Sequence, residues 1–476
     1  MSDVLRSRQK YCYTCSGRRR VVTVILRRQS DGYVLMLQRS QLMKEYPGRW
    51  HFVSGSLEVR DSGRCLERAR AEVLEETGIS ELRLICHARP IRIEGKYLVH
   101  PVLFEVADAH AIVMLNRENQ AYQWIDPGQL DCIENTVPNL TQTWQRTQAL
   151  NKFPKNAKNG LRQLTVDREL HPIVLACLAA ECINEYASSS PSNRIHMKSL
   201  LDFAWALAIA RPLLATVSNA VISIIKGITA PERSPRSLIL PQAVHDSVDQ
   251  FLKLLNEESR NLTTHAAHLL DATLKRSNGS GVGLRVLTHS DSPAIRDALY
   301  AFHKNGNPLA NVIICESRPR FEGQQLASFL CERGIPCTLI TDSQMALFAC
   351  NADIALVDAH TIRASHSGVD IMAKVGTYGL ALACKERSVD MHVLAGMSKI
   401  HHGITPFEFE ELPWQDVTDA YPSKITSQYL SVRHVNYETV PSRLLTSIIT
   451  NDGVIPADSL LPVALRNRDT FDEIFF

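Results

Sequence analysis

From Arg285 onward the chain repeats one arrangement: a short apolar run, a helical segment, then another short apolar run. The runs cover 285–287, 312–315, 337–340, 354–357 and 391–394, and the helical segments between them cover 292–303, 322–333, 343–350 and 374–387. Apolar runs this short are strand-sized, and strand–helix–strand order predicts a parallel, doubly wound, Rossmann-like α/β sheet over residues 281–476. Ligands of such sheets bind beyond the carboxyl ends of the strands. The residues just past those ends are Thr288-His289-Ser290, Glu316-Ser317-Arg318-Pro319, Thr341-Asp342-Ser343 and Asp358-Ala359-His360. Arg318 carries a fork-shaped phosphate donor, and Lys374 precedes Gly376-Thr377 at a helix start whose amides favour an anion. Polar residues at strand ends are also ordinary caps. Four consecutive ends carrying them point to a phosphate-bearing small molecule, with Ser290, Arg318, Asp342, His360, Lys374, Gly376 and Thr377 as its expected contacts.

Upstream, residues 199–280 read as a helical subdomain. The apolar stretch 203–225 has the length of a membrane span, but Arg211-Pro212 sits near its middle, where a charge is costly in lipid. Two core helices broken at the proline fit better, and no membrane partner is expected. Residues 242–275 place Val244, Val248, Leu252, Leu255, Leu262, Ala266 and Leu269 on one side of a long amphipathic helix. A Pro/Ser loop at 231–241 and a Ser/Gly linker at 277–281 bound it. Residues 151–198 read as a polar, basic linker followed by a helix.

Residues 21–150 have a different pattern. Apolar runs at 21–26 and 32–37 flank a hairpin signature, and further runs follow at 82–86, 91–93, 97–106 and 123–125. Between them a strand-like run at 49–53 leads through Ser54-Gly55-Ser56 into one acidic helix ended by Gly78. Strands on both sides of one helix predict an α+β sandwich. Glu72, Glu75 and Glu76 fall at i, i+3 and i+4, so their carboxylates share a face and call for a counter-charge. A solvated acidic face is the ordinary fate of such a cluster. The strand–loop–helix setting argues instead for hard oxygen ligands, which suit Mg²⁺ or Mn²⁺.

This stretch resembles the Nudix box, Gly-x5-Glu-x7-Arg-Glu-U-x-Glu-Glu-x-Gly-U with U aliphatic, matching from Glu72 to Ile79. It departs in three ways: Ala71 replaces the box arginine, Asp61 replaces the first glutamate, and two residues are inserted before the helix. The resemblance implies a Nudix sandwich, a metal held by Gly55, Glu72, Glu75 and Glu76, and hydrolysis of a nucleoside diphosphate linked to another moiety. Arg68 or Arg70 is left to brace the cluster, and Glu118 to serve as an outer carboxylate.

The second half resembles the family of translation initiation factor 2B alpha/beta/delta subunits, which includes methylthioribose-1-phosphate and ribose-1,5-bisphosphate isomerases. The resemblance rests on Ala210-Arg211-Pro212, Leu287-Thr288-His289-Ser290, Glu316-Ser317-Arg318-Pro319, Lys374-Val375-Gly376-Thr377 and Ile448-Ile449-Thr450. It implies binding of a sugar phosphate or nucleotide, and homodimerisation. The isomerases carry a proton-shuttling cysteine and aspartate where this chain has Ser290 and His360. That implies binding without isomerisation. A regulatory scaffold with a decayed first domain, and an active isomerase, are the competing readings.

Composition excludes more than it assigns. A chain of 476 residues has room for two or three domains. With 21% charged residues and a net charge of +2, nothing in the bulk composition draws it to nucleic acid. Twelve irregularly spaced cysteines without a secretory leader point to a reducing, cytoplasmic setting. Cys12 and Cys15 form a lone C-x-x-C, read as free thiols. Residues 1–20, with Arg6, Arg8, Lys10 and Arg18 to Arg20, read as a basic arm rather than a presequence.

Overall fold

The computed structural model describes residues 17–58, 61, 64–107, 112–168, 170–190, 193–228, 237–277, 283–365, 368–403, 410–418 and 429–476. The basic arm through residue 16 with its C-x-x-C, most of the Pro/Ser loop and most of the Ser/Gly linker lie outside the described residues.

The first domain is built on β1 (Arg19–Arg28), β2 (Val34–Arg39), β3 (Trp50–His51), β4 (Val53–Ser56), α1 (Cys65–Thr77), β5 (Arg83–His87), β6 (Ile91–Ile93), β7 (Tyr97–Val106) and β8 (Asn119–Ile125). The first strand thus starts inside the stretch read as the basic arm. It runs parallel to β7 from Arg19↔Tyr97 to Arg28↔Val106, and antiparallel to β4. Strand periodicity divides the side chains between two cores. Val22, Val24, Leu26, Leu35, Leu37, Val102 and Phe104 face Ala69 and Val73 of α1. Ile25, Val34, Met36 and Leu103 face the opposite layer, which includes α2 (Leu140–Thr147). Gly78 ends α1 at φ 72°, its amide bonding to Leu74 O at 3.0 Å.

The stretch expected as a linker is instead α3 (Lys155–Val166). Ala157 and Leu164 are buried, with Leu161 packed beside them. That i, i+4, i+7 stripe is carried in a run rich in Lys, Asn, Gln and Arg, so composition hides the period. It packs with α4 (Pro172–Ser188), α5 (Met197–Ala208), α6 (Ala215–Gly227) and the first half of α7 (Pro241–Ser277) in one core. The apolar stretch 203–225 breaks between α5 and α6. Arg211 there is buried and paired with Glu410 at 2.8 Å, which explains how the charge is tolerated. Among the described residues no helix is long and apolar enough to cross a membrane.

The sheet of the second half comprises β9 (Leu284–His289), α8 (Pro293–Lys304), β10 (Leu309–Cys315), α9 (Glu322–Cys331), β11 (Cys337–Ile340), α10 (Met345–Ala349), β12 (Ile354–Asp358), β13 (Thr361–Ser365), β14 (Gly368–Lys374), α11 (Thr377–Glu386), β15 (Met391–Leu394), β16 (Tyr437–Pro441), β17 (Ser447–Thr450), β18 (Gly453–Ile455) and α12 (Leu461–Phe475). Its order is β11-β10-β9-β12-β15-β17-β18, parallel except at the β17–β18 edge. The chain reverses direction across the sheet between β9 and β12, which makes the carboxyl ends of those two strands the switch point. A small antiparallel sheet, β13-β14-β16, lies outside this path. Lys374 therefore closes a strand rather than opening a helix. Gly376, at φ 111°, turns the chain into α11.

Asp202 of α5 joins the halves. Its Oδ1 takes Arg89 Nε at 2.7 Å and Arg146 Nη1 at 2.9 Å, all three side chains being 10% exposed or less. Trp205 Nε1 adds a bond to His87 O at 3.0 Å. Removing a partner from a buried ion pair leaves uncompensated charge and costs about 3–5 kcal/mol. Asp202→Ala is therefore expected to destabilise the seat of the first domain on that scale, splitting the denaturant transition followed by tryptophan fluorescence. A single unshifted transition would contradict this role.

Candidate functional sites

The first cluster is set by α1, which treats its three glutamates unequally. Glu72 and Glu76 are buried, while the Glu75 side chain remains 57% exposed. Glu76 is gripped at both oxygens, by the Ser54 amide at 3.1 Å and by Asn119 Nδ2 at 2.8 Å. His51 Nε2 in turn lies 2.8 Å from Asn119 Oδ1. Burial pushes the His51 pKa down to about 4, so the ring is neutral and donates from Nε2. Glu72 lies over Gly55, where an added Cβ would fall 1.5 Å from Oε1. Only glycine leaves room for that carboxylate.

Arg68, one turn before Glu72, pairs with it and reaches Glu75 at 3.4 Å. Arg70 points elsewhere, donating to Leu82 O at 3.0 Å and covering the Phe104 ring. Of the two arginines left open by Ala71, Arg68 is thus the one placed at the cluster. Burial pushes the Glu72 carboxyl up to about 7, against the opposing pull of Arg68. It pushes Glu76 up to about 8, against its bonds to Asn119 and Ser54. Glu118 adds its field to both from an exposed position. Several carboxylates facing one arginine are short of positive charge, and hard oxygen donors of this kind fit Mg²⁺ or Mn²⁺.

The second cluster lies at the switch point and is organised by Glu322, the first residue of α9. Its Oε2 accepts from Ser290 Oγ at 3.3 Å and Ser317 Oγ at 3.0 Å, and its Oε1 pairs with Lys374 Nζ at 2.6 Å. Ser290 and Ser317 stand at φ 66° and 60°, left-handed values that non-glycine residues adopt at a cost. Asp342 accepts the amides of Ser317 at 2.8 Å and Arg318 at 2.7 Å, and sits 3.7 Å from His289 Nε2. Gly376 leaves space for that imidazole, since a Cβ would fall 2.5 Å from its Nε2.

Deeper in, Asp358 accepts from Ser292 Oγ at 2.7 Å, pairs with buried Lys399 and lies 3.5 Å from His171 Nε2. Burial opposes its ionisation, yet Lys399 and His171 hold its carboxyl well below the usual range. His360 is neutral, its pKa pushed far down by burial, with its ring 4.4 Å from that of Tyr437.

The fold therefore brings Ser290, Asp342, Lys374 and Gly376 around Glu322 and His289, with His360 beside Tyr437. One expectation is corrected, and one residue stands apart from the cluster. Arg318 is half-exposed, held by Glu316 at 3.2 Å and lying over Phe321. The amides expected to take an anion at Gly376-Thr377 are engaged: Glu438 Oε1 accepts Gly376 N at 2.7 Å and Tyr378 N at 2.8 Å, and Thr377 is buried. Glu322, Lys399, His171 and Tyr437 went unmarked, and Asp358 was noted only as part of a strand end. Lys399 follows the β15 end, so the strand-end rule extended one strand further would have reached it.

Residues 173–457 match the Initiation factor 2 subunit family and residues 17–145 match the NUDIX domain. Ribose 1,5-bisphosphate isomerase from Archaeoglobus fulgidus is 33% identical over 284 residues, 60% of this chain and 84% of that protein. Methylthioribose-1-phosphate isomerase from Herpetosiphon aurantiacus is 26% identical over 323 residues, 61% and 89% respectively. The crystal structure of Pyrococcus horikoshii translation initiation factor eIF-2B aligns at TM-score 0.51 and 24% identity, over 64% of this chain and 98% of that one. At that identity the likeness speaks for the fold alone.

The glutamate pair carries a pH signature. Both carboxyls titrate above the ordinary 4.5 in the folded chain, so the folded state holds extra protons between that value and about 8. Their contribution to stability is full below about pH 4.5 and is lost as pH rises through 7 and 8. Without divalent cations, the first domain is expected to melt at lower temperature near pH 8.5 than near pH 5.5. Glu76→Gln should shrink that difference, and equal differences in parent and variant would refute the assignment.

Proposed function

Because the chain belongs to the Initiation factor 2 subunit family and carries a NUDIX domain ahead of it, we propose that it is a two-site protein. The first domain hydrolyses a nucleoside diphosphate linked to another moiety, with Mg²⁺ or Mn²⁺. The second binds a phosphorylated sugar or nucleotide without isomerising it. The observation that carries the hydrolase reading is the buried, charge-deficient pair of Glu72 and Glu76 beneath Gly55.

Glu72, Glu75 and Glu76, with the Gly55 carbonyl, are the groups that would hold the cation. When bound, it supplies the charge that polarises a diphosphate and lowers the pKa of water. The chain's own residues position everything else. Ser54 and Asn119 fix the Glu76 carboxylate, and His51 fixes Asn119. Arg68 keeps Glu72 and Glu75 in register. Glu118, at the exposed rim, serves as the outer carboxylate in this reading.

In the second site, Lys374 offers positive charge. Ser290 Oγ already donates to Glu322, and a hydroxyl is a far weaker acid than the thiol the isomerases use there. His360 is neutral and half-buried where their aspartate stands. Proton transfer between adjacent carbons then lacks its matched acid and base. Homodimerisation through this half is part of the same reading.

A screen of nucleoside-diphosphate compounds should find cation-dependent hydrolysis that Glu76→Gln lowers at least about 100-fold. Unchanged turnover in that variant, or activity in excess chelator, would sink the hydrolase. No activity across the screen would favour a regulatory scaffold. Calorimetry with sugar phosphates and nucleotides should show binding weakened about tenfold or more by Lys374→Ala, beside a blank aldose–ketose assay. Measured isomerisation would overturn the second half of the proposal.

A further inference from the structure

We propose that Cys65, His87 and His100 form a second metal site, for a borderline-soft divalent cation of the zinc type, separate from the glutamate cluster. Cys65 is the first residue of α1, His87 the last of β5, and His100 lies within β7. The β5–β7 pairing sets His87 opposite Val102, which brings the two imidazoles together across the ladder. The three ligand atoms all lie within 4.8 Å of one another, and Cys65 Sγ is 3.9 Å from His87 Nε2. A sulfur at about 2.3 Å and a nitrogen at about 2.0–2.1 Å from one ion are at most about 4.4 Å apart. The Cys–His pair is already within that span, and the whole set needs a contraction of about 1 Å.

An independent observation points the same way. His100 is 4% exposed, and neither of its ring nitrogens has a hydrogen-bond partner among the described residues. Buried polar groups are rarely left so, and such an orphan calls for a missing partner. Burial also keeps both imidazoles neutral, His87 at about 4 and His100 well below its ordinary value, so their lone pairs are available. Burial pushes the Cys65 thiol up to about 12, so an entering cation must displace its proton.

The surroundings bear on selectivity. Among the described residues, Arg20 is a cation whose field reaches both Cys65 and His100. It is neutralised by Asp472 at 3.0 Å and lies over the Phe476 ring. Phe476 also packs edge-on against His100, and Trp205 against His87. A sulfur and two nitrogens in an aromatic wall disfavour Mg²⁺, which the glutamates suit, and favour zinc-type ions. Three protein donors leave one position for water or a small anion.

The test uses the full chain with Cys12→Ser and Cys15→Ser, stripped of metal and kept in excess Mg²⁺ to occupy the glutamate cluster. Titration with Co²⁺ should produce a thiolate-to-cobalt charge-transfer band that saturates at one ion per chain, releases about one proton and is displaced by Zn²⁺. Cys65→Ser should abolish the band, and His87→Gln and His100→Gln should each weaken Co²⁺ binding at least tenfold. Cys86→Ser, in the neighbouring core, should leave it unchanged. No band in the parent would overturn the site. So would a band that survives both histidine variants, or one that persists in Cys65→Ser and vanishes in Cys331→Ser, which would assign it to the adjacent thiols of Cys331 and Cys337. The histidine variants keep the test decisive if Cys65→Ser fails to fold.

Discussion

One carboxylate, Asp202, holds two guanidiniums from a different domain in a place with little water. Burying three charges is costly, and attraction repays the cost only where the geometry is good. The seat of the first domain on the helical layer is therefore fixed in orientation, not merely in contact. Arg89 follows β5 and Arg146 lies on α2, so the grip takes hold of both the sheet and the helix packed on it. The same seat brings Trp205 against His87 and Phe476, just past α12, against His100.

The two clusters use buried carboxylates in opposite ways. At α1, Glu72 and Glu76 are surrounded mainly by neutral donors, and Arg68 is the main cation beside them. At the switch point three acids each have a base, Glu322 with Lys374, Asp358 with Lys399, and Glu410 with Arg168 and Arg211, while Asp342 is met by the amides of Ser317 and Arg318. The first arrangement has charge left over for a cation. The second has its positive charge already spent, so an anionic ligand must compete with Glu322 for Lys374.

The parts legible in the sequence were those written in local period. The parallel strands of the second half announced themselves as apolar runs because they are buried on both faces, and the break at Arg211-Pro212 was visible from one residue pair. The i, i+3, i+4 glutamates identified the helix, but not that Glu75 would stay wet while its neighbours were buried. Arg68 and Arg70 were indistinguishable by spacing, and only the path of β7, which puts Phe104 under Arg70, separates them. Helix α3 was obscured by its polar composition. Glu438, which takes the amides at the head of α11, lies about sixty residues downstream of them. No local pattern could have shown that those amides are engaged. The triad of Cys65, His87 and His100 is equally non-local, being assembled by strand register.

The central place of β1 has a consequence for the order in which the molecule is built. Its parallel partner is far along the chain, with Arg27 and Glu105 78 residues apart. A two-sided apolar strand must therefore wait with an open edge, a state prone to pairing with the wrong chain. Charge at both ends guards it meanwhile, from Arg19 and Arg20 to Arg27 and Arg28. Arg20 then waits longer still, for Asp472 lies 452 residues downstream. The β1–β7 pairing thus needs only the first domain, whereas the Arg20–Asp472 contact between the halves needs the far end of the chain as well.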